Sequence, residues 1–303
     1  MKRGFYKASF FIRFRAMLDK DLIQKLSTIL EETVLEISTM PGGDISSIFK
    51  LKTPSRLLVI KLHNGELGHQ ILQSEKLALK TIASTKTIAT PKIYSSGILD
   101  NKAYLVMECI NSKTPTSDNQ ERLGHDLATL HKITSDNFGF IENNFIGSLP
   151  QSNTNHDNWI DFYINERLFP QLKTAEKKGL LNFSNIPQIN TMASVCKELM
   201  PEVVPSLLHG DLWSGNFMID QNGTPYLIDP SVYFGHNEVD IAMSKLFGGF
   251  SESFYEAYHR HFPKTQYFSE RIQLYQLYYL LVHLNLFGRS YYPSVKGILS
   301  RIF

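Results

Sequence analysis

The sequence has few cysteines, no long apolar run and almost no net charge, and each shortage excludes a class of protein. Its two cysteines, Cys109 and Cys196, cannot form a disulfide framework, and neither stands in a metal-ligand spacing. No apolar stretch has the length of a membrane-spanning helix. The formal net charge of +2 is too small to indicate binding to nucleic acid or to an anionic membrane. We therefore expect a cytoplasmic protein that binds neither nucleic acid nor a membrane.

The remaining composition is that of an ordinary globular protein. Hydrophobic residues make up 43% and charged residues 20% of the 303 residues, enough for one large domain or two modest ones. The first sixteen residues differ, because they carry basic and aromatic side chains and no acid. Such a segment is typical of a targeting or membrane-surface sequence, but it also fits a disordered leader, or an upstream start codon with Met17 as the true start. We interpret residues 1–16 as a leader.

Hydrophobic periodicity divides the rest of the chain into a mixed first part and a mainly helical second part. Apolar residues at helical spacing predict an amphipathic helix over residues 19–38. Two pairs of strands with a helix between them are predicted next, at 45–51 and 57–62, and at 92–98 and 103–109. We therefore predict an α+β fold of two lobes. The N-terminal lobe covers 17–110 and the helical C-terminal lobe covers 111–303, with a polar hinge at their junction.

The clearest chemical signal is the segment from His209 to Asn216, which reads HGDLWSGN. An Asn five residues after an Asp matches the spacing of a kinase catalytic loop. Phosphoryl transfer needs a group that accepts the proton of the nucleophile and ligands for a metal on the phosphates. Asp211 suits the first role, while Asn216 and Asp229 suit the second with Mg²⁺ as the metal. Each of the three could alone be a turn residue, but together they indicate a kinase, in which His209 would support the loop.

The N-terminal lobe offers residues that suit ATP. Lys61 ends an apolar strand, where it would pair with the phosphates, and Glu75 on the next helix would hold it extended. Taken singly, both could be solvated surface residues. Gly43 and Asp44 lie in a loop whose backbone amides would cover the phosphates. Four residues at the end of the last strand would bind adenine through their backbone: Met107, Glu108, Cys109 and Ile110. The first and third of these side chains also suit core packing.

These residues resemble the fructosamine kinase family. The Leu-Trp-Ser insert between Asp211 and Gly215 is similar to that family's form of the motif, and more specific than the form shared by aminoglycoside phosphotransferases and choline kinases. The resemblance continues from about residue 18 to the end of the chain. Other segments that carry it are 145–147, 150–151, 159–172, 228–238 and 247–250.

The resemblance implies a protein-kinase-like fold and a defined reaction. Members of the family transfer the γ-phosphate of ATP to the 3-hydroxyl of a ketosamine, a sugar joined to an amine by glycation. The product releases the amine, so the reaction reverses early glycation. By resemblance, Asp211 is the catalytic base, Asn216 and Asp229 bind magnesium, and Lys61 with Glu75 orients ATP.

Three residues are candidates for contact with the acceptor. The flat indole of Trp213 would face the sugar or its protonated amine, or would simply pack the catalytic loop. His236 and Glu238 are further candidates, which could instead begin and cap the next helix.

Two alternatives stay open on the sequence alone. One is a kinase of the same fold for an aminoglycoside, choline or a thiosugar, because fold does not fix substrate. The other is a nucleotide-binding scaffold without catalysis, which the joint presence of Asp211, Asn216, Asp229 and Lys61 opposes. A regulated protein kinase is disfavoured, because Pro230 follows Asp229 and no Ala-Pro-Glu comes later. The chain is taken as a monomer by default.

Overall fold

A computed structural model describes residues 20–40 and 46–303. The predicted leader, and Gly43 and Asp44 of the predicted phosphate loop, lie outside the described residues. The chain divides into two compact units. The first runs to Leu72 and includes Lys92–Cys109, and the second consists of Gln73–Pro91 and Ile110–Phe303.

The first unit is an antiparallel sheet with one helix packed on it. Its elements are α1 (Lys20–Leu30), β1 (Glu36–Thr39), β2 (Ser47–Lys52), β3 (Leu57–Asn64), the start of α2 (Gly65–Thr85), β4 (Ile93–Leu99) and β5 (Lys102–Glu108). The strands lie in the order β1-β2-β3-β5-β4. Leu26 of α1 packs with Leu51, Leu58 and Val106 of the sheet, and all four are fully buried. The central strands β3 and β5 each contain a run of at least three consecutive buried residues, as expected of strands that are covered on both faces.

The predicted helix over residues 19–38 is wrong in its second half. Helix α1 ends at Leu30, Glu31 adopts a left-handed φ of 54°, and the hydroxyl of Ser27 accepts the amide of Val34 at 3.0 Å. The chain then reverses into β1, which pairs with β2. Val34 is buried in the same core as α1. Because apolar residues on both sides of the turn pack into one core, the helical spacing continued past the true end of the helix.

The second unit is mostly helical. Its elements are the end of α2, β6 (Ser112–Lys113), α3 (Ser117–His131), β7 (Asn144–Ile146), β8 (Leu149–Gln151), α4 (Trp159–Phe162), a π-helical turn (Tyr163–Leu168), α5 (Phe169–Lys177), α6 (Ile189–Leu199), β9 (Ser206–Leu208), β10 (Phe217–Asp220), β11 (Pro225–Leu227), β12 (Tyr233–Gly235), α7 (Glu238–Leu246), α8 (Glu252–His259), α9 (Phe268–Phe287) and α10 (Tyr292–Ile302). Together the two units confirm the predicted α+β class.

The core of the second unit surrounds α9. This helix is apolar on nearly all sides, and Leu274, Leu277, Leu281 and Leu284 are fully buried in it. A helix of this kind belongs in the centre of a domain. None of the described helices is both long and apolar enough to cross a bilayer.

Short antiparallel pairs position the loops of the second unit. Strand β10 pairs with β11 and with β6, while β12 pairs with β9, with Tyr233 opposite Leu208. The β9–β12 pair brings the segment after Leu208 next to the segment before Tyr233. The candidate catalytic residues lie in these two segments and at the ends of the β10–β11 hairpin.

Candidate active site

The structure brings Asp211 and Asn216 together, as the spacing predicts. Asp211 follows β9, and a single 3₁₀ turn, Ser214–Asn216, returns the chain to it before β10 begins. The side-chain Nδ2 of Asn216 donates to the backbone oxygen of Asp211 at 2.9 Å and to its carboxylate Oδ2 at 3.3 Å. This arrangement turns the amide oxygen of the buried Asn216 away from Asp211, where it is available as a cation ligand.

Asp229 follows β11 and so lies at the same open end of the β10–β11 hairpin as Asn216, which precedes β10. The amide of Ile228 donates to the backbone oxygen of Asn216 at 3.0 Å, which places the next residue beside the loop. Asp229 itself adopts a left-handed φ of 54°, a conformation that Asp tolerates better than most residues. Burial, together with the charges of Asp229 and Asp240, raises the pKa of Asp211 to about 7. The three predicted side chains therefore form one electrostatically coupled cluster.

Asp240 is a site residue that the sequence analysis missed. It is completely buried on α7 and accepts three hydrogen bonds, from the amides of His209 at 2.7 Å and Gly210 at 2.9 Å and from His131 Nε2 at 3.1 Å. Burial acts to raise the pKa of Asp240, but His131, His209 and the Gly210 amide outweigh burial and lower it. The ionised carboxylate thus fixes the start of the catalytic loop. The one available signal was an acid within the apolar run Val239-Asp240-Ile241-Ala242.

Gly210 has no space for a side chain. Its φ is +83°, and a Cβ there would lie 2.1 Å from the backbone oxygen of Ser231. Its amide is bound by Asp240, and its carbonyl oxygen accepts the hydroxyl of Tyr279 at 2.8 Å. A glycine is therefore required for the close approach of the two loop segments.

His209 supports the loop, in agreement with its expected role. It is fully buried, its Nε2 donates to the backbone oxygen of Ile228 at 2.9 Å, and its Nδ1 accepts the amide of Asp211 at 3.2 Å. Burial lowers the pKa of His209. A neutral ring with both nitrogens in use connects the two catalytic segments and takes no part in proton transfer.

Trp213 has both an exposed face and a packing role. Its indole is 40% exposed and lies over Gly215, where a Cβ would come 2.2 Å from the ring. Gly249, with a φ of +92°, packs against Ser214 in the same way, because a Cβ on this glycine would lie 2.4 Å from the Cβ of Ser214. The glycine-containing segment after α7 therefore abuts the catalytic loop, while part of the indole stays exposed to solvent.

His236 and Glu238 lie in the interior, where their side chains bind other buried residues, and neither side chain caps helix α7. His236 is 5% exposed, its Nδ1 lies 2.6 Å from the hydroxyl of Tyr275, and its ring contacts the buried Trp159. Glu238 binds the buried guanidinium of Arg271 through both carboxylate oxygens, each at 2.7 Å. Their contact with substrate stays a prediction that the geometry does not support.

The burial of His236 predicts a pH-dependent stability. Burial, Arg271 and His131 lower the pKa of His236 to about 3, whereas an unfolded histidine titrates at about 6.5. The unfolded state therefore binds more protons between these two pH values. The contribution of His236 to the free energy of unfolding is fully present above about pH 6.5 and is lost as the pH falls towards the folded pKa. We expect His236 to contribute a decrease of about 1 kcal/mol in the free energy of unfolding from pH ~7 to ~5.5, so the change with pH measured by urea unfolding should differ by about this amount in His236→Asn. The exposed His125→Asn is the control, and an equal decrease in all three proteins would contradict this assignment.

The first unit holds most of the predicted ATP-binding residues. Lys61 is a buried residue of β3, opposite Ile48 of β2 and Leu105 of β5. Met107 is buried in β5, and both the amide and the carboxylate of Glu108 bind the backbone of Lys92. A buried lysine on an apolar strand is uncommon without a function. Glu75 and Ile110 belong to the second unit, and the pairing of Lys61 with Glu75 stays a prediction.

Comparisons with known proteins agree on one family. The fructosamine kinase family model matches residues 18–303. A protein named a probable ketoamine kinase from Enterococcus faecium is 38% identical over 279 residues, 90% of this chain and 98% of its own length. A chloroplastic protein-ribulosamine 3-kinase from Arabidopsis thaliana is 36% identical over 304 residues, 98% and 92% of the two lengths. A ketosamine-3-kinase from Mus musculus is 33% identical over 291 residues, 86% and 93%.

Solved structures support a kinase-like fold. A candidate fructosamine-3-kinase from Haemophilus somnus 129PT aligns with a TM-score of 0.83 at 25% identity, over 92% of this chain and 96% of its own. The aminoglycoside phosphotransferase APH(4)-Ia, solved with ADP and hygromycin B, aligns with a TM-score of 0.60 at 17% identity, over 93% and 98%. The second likeness concerns the fold alone.

Proposed function

Because the chain belongs to the fructosamine kinase family, we propose that it transfers the γ-phosphate of ATP to the 3-hydroxyl of a ketosamine. The chain is an ATP-dependent kinase. The phosphorylated ketosamine would then release its amine, so the reaction reverses an early step of glycation.

The observation that carries the mechanism is the cluster of Asp211, Asn216 and Asp229. The carboxylate of Asp211 accepts the proton of the acceptor hydroxyl as its oxygen attacks the γ-phosphorus and ADP leaves. The hydrogen bond from Asn216 Nδ2 to Oδ2 of Asp211 orients that carboxylate. Most of the rate enhancement comes from this positioning and from neutralised charge.

The residues present fit Mg²⁺ bound together with a nucleotide. Mg²⁺ is held in kinases by one or two protein oxygen ligands together with substrate phosphates. Asn216 Oδ1 and Asp229 supply such ligands, and the negative charge around Asp211 favours a cation there. No three His, Cys, Asp or Glu side chains of the described residues converge as a complete cage. Bound magnesium would neutralise phosphate charge and leave proton transfer to Asp211.

The remaining nucleotide contacts are proposed for the lobe of residues 17–110. Lys61 would hold the α- and β-phosphates with Glu75 as its partner, and the residues at the end of β5, Met107 to Ile110, would hold the adenine. Gly43 and Asp44 would cover the phosphates. We place acceptor binding in the lobe of residues 111–303, where the open face of Trp213 suits the C–H face of a sugar or a protonated amine.

Asp229→Ala tests the metal assignment. We expect the half-saturating Mg²⁺ concentration for turnover to rise at least tenfold, because one of two protein ligands is lost. Turnover would be measured against Mg²⁺ at saturating ATP. Asp220→Ala changes the same residue type at the other strand of the β10–β11 hairpin and should leave the magnesium dependence as it is. An unaltered magnesium dependence in Asp229→Ala would remove the residue from the site.

A panel of acceptors tests the substrate class. The protein with magnesium and ATP would be offered a fructose–lysine adduct, a ribulose–lysine adduct, an aminoglycoside and choline, with ADP release measured for each. We expect release above background only with the two ketosamines, and their ratio of kcat/KM identifies the preferred sugar. ADP release with the aminoglycoside or choline instead would leave the fold assignment unchanged and would show that the proposed substrate class is wrong. If the protein binds ATP but releases no ADP with any of these acceptors, the scaffold alternative would be favoured.

The state of the two cysteines supports a proposal for the location. Both cysteines are free thiols, Cys196 buried and Cys109 half-buried, as expected in a reducing compartment. We propose the cytoplasm.

A further inference from the structure

The hairpin β7–β8 has no role in the mechanism described above, although the family resemblance is strong in it. It lies against the chain immediately after Asp229. The hydroxyl of Ser231 donates to the backbone oxygen of Phe145 at 2.7 Å, and the side-chain Nδ2 of Asn144 donates to the backbone oxygen of Val232 at 2.8 Å. The hairpin therefore holds the two positions that follow Asp229-Pro230.

This part of the chain needs external support. Asp229 adopts a left-handed φ, and Pro230 has no amide hydrogen to donate. The neighbouring amides, Ile228 and Ser231, bind the catalytic loop at Asn216 and His209. The backbone of Val232 is held from the opposite side by Asn144. The position of the Asp229 carboxylate is thus defined between the catalytic loop and the hairpin.

A buried chain of side chains fixes the orientation of the Asn144 amide. Gln151 Nε2 donates to Asn144 Oδ1 at 2.7 Å, and the hydroxyl of Tyr278 on α9 donates to Gln151 Oε1. All three side chains are buried. Because the amide oxygen of Asn144 is occupied by Gln151, its Nδ2 must face Val232.

The burial of the Asn144 and Gln151 side-chain amides requires an explanation. An apolar pair in their place would avoid the free-energy cost of removing polar groups from water. A fully hydrogen-bonded network is valuable where one geometry must be specified. The chain just beyond β8 is anchored in the same way. The buried guanidinium of Arg167 donates to Asn153 Oδ1 at 2.6 Å and lies 4.0 Å from the ring centre of Tyr233, the residue after Val232.

We propose that Asn144 and Gln151 are positioning residues that hold Asp229 in place for the catalytic cation, acting through Val232 and Ser231. Neither side chain contacts substrate or metal in this scheme. The proposal depends on the proposed function, because it assumes that Asp229 is a metal ligand.

The test is direct binding of Mn²⁺ as a spectroscopic substitute for magnesium, in the presence of ADP. The paramagnetic resonance signal of free Mn²⁺ gives its Kd without any turnover. Asn144→Leu keeps the branching and the number of heavy atoms of the side chain and removes its two hydrogen bonds. Ser231→Ala removes a single hydrogen bond, and it decides the matter if the first variant does not fold. We expect Kd for Mn²⁺ to rise about fivefold in each, the size expected for one lost hydrogen bond between the hairpin and the segment after Asp229.

A matched control separates positioning from general stability. Asn285 is also a buried amide bound to a glutamine, with its Nδ2 donating to Gln171 Oε1 at 2.8 Å, and its side-chain hydrogen bonds do not reach the catalytic segments. Asn285→Leu should lower the urea midpoint as much as Asn144→Leu and leave the Kd for Mn²⁺ unchanged. Equal weakening of Mn²⁺ binding in both would overturn the proposal.

Asp229→Ala distinguishes the metal assignment from the positioning role. If it binds Mn²⁺ as tightly as the unaltered protein, the metal assignment in the proposed function is wrong. If it binds weakly while Asn144→Leu and Ser231→Ala bind normally, the metal assignment stands and the positioning role is wrong.

Discussion

Asp211→Asn is expected to reduce kcat by about 10³-fold, the range found for loss of a positioned general base. The substitution keeps the size of the side chain, and its amide can still meet Asn216, so the loop should keep its shape. An amide cannot accept the proton of the acceptor hydroxyl. Because the lost interaction exists mainly in the transition state, kcat and kcat/KM should fall together, with little change in KM.

The measurement is turnover with the preferred ketosamine, together with the Kd of a fluorescent ATP analogue in the presence of magnesium. Nucleotide affinity should stay within about twofold, because Asp211 is not among the proposed nucleotide contacts. Asp220→Asn makes the same change beyond the catalytic loop, at the last residue of β10, and should keep full activity. Normal turnover of Asp211→Asn would end its assignment as the base.

Asp240→Asn is expected to destabilise the protein by about 3 kcal/mol and to lower kcat as well. Three donors converge on this buried carboxylate, from His131, His209 and Gly210. An amide offers one acceptor atom in place of two, and its NH₂ group would face a donor. At least one buried N–H group would lose its partner, and the catalytic loop would lose the anchor at its beginning.

Urea unfolding at neutral pH gives the stability, and kcat measured well below the midpoint gives the activity of the folded fraction. Asp126→Asn, at a half-buried carboxylate on α3, is the control, with an expected change within about 0.5 kcal/mol. The pKa of Asp240 is lowered on folding. Its contribution is therefore present above the unfolded pKa of about 3.9 and lost as pH falls through the folded value, so the variant should lose this acid-dependent component. Unchanged stability would show that the three donors find other partners.

The proximity of the residues proposed to perform the chemistry could be predicted, because their identity and spacing are local. Asp211 and Asn216 are separated by one short turn, and that turn alone brings them together. Asp229 follows after a single hairpin. Residue types that must bind phosphate and metal leave few alternatives, and the motif in this chain was complete.

The supporting residues could not be predicted, because they act across long sequence separations. Asp240 meets His131 from α3, and Gln151 meets Tyr278 from α9. In a single sequence, an apolar run around an Asp can indicate that it is buried, but it does not identify the distant residues that bind it. The partner of His236 is also distant in sequence: its Nδ1 lies 2.6 Å from the hydroxyl of Tyr275 in the interior, and its contact with substrate stays a prediction.

The two tryptophans give this protein an optical reporter of its own catalytic loop. Trp159 is buried against Tyr275, while the indole of Trp213 lies partly exposed on Gly215. Emission from the first should therefore be shifted to shorter wavelengths, and only the second should be quenched by acrylamide. In a Trp159→Phe protein the whole signal would come from the loop that carries Asp211. Acceptor binding could then be followed in real time by stopped-flow fluorescence, without a labelled substrate.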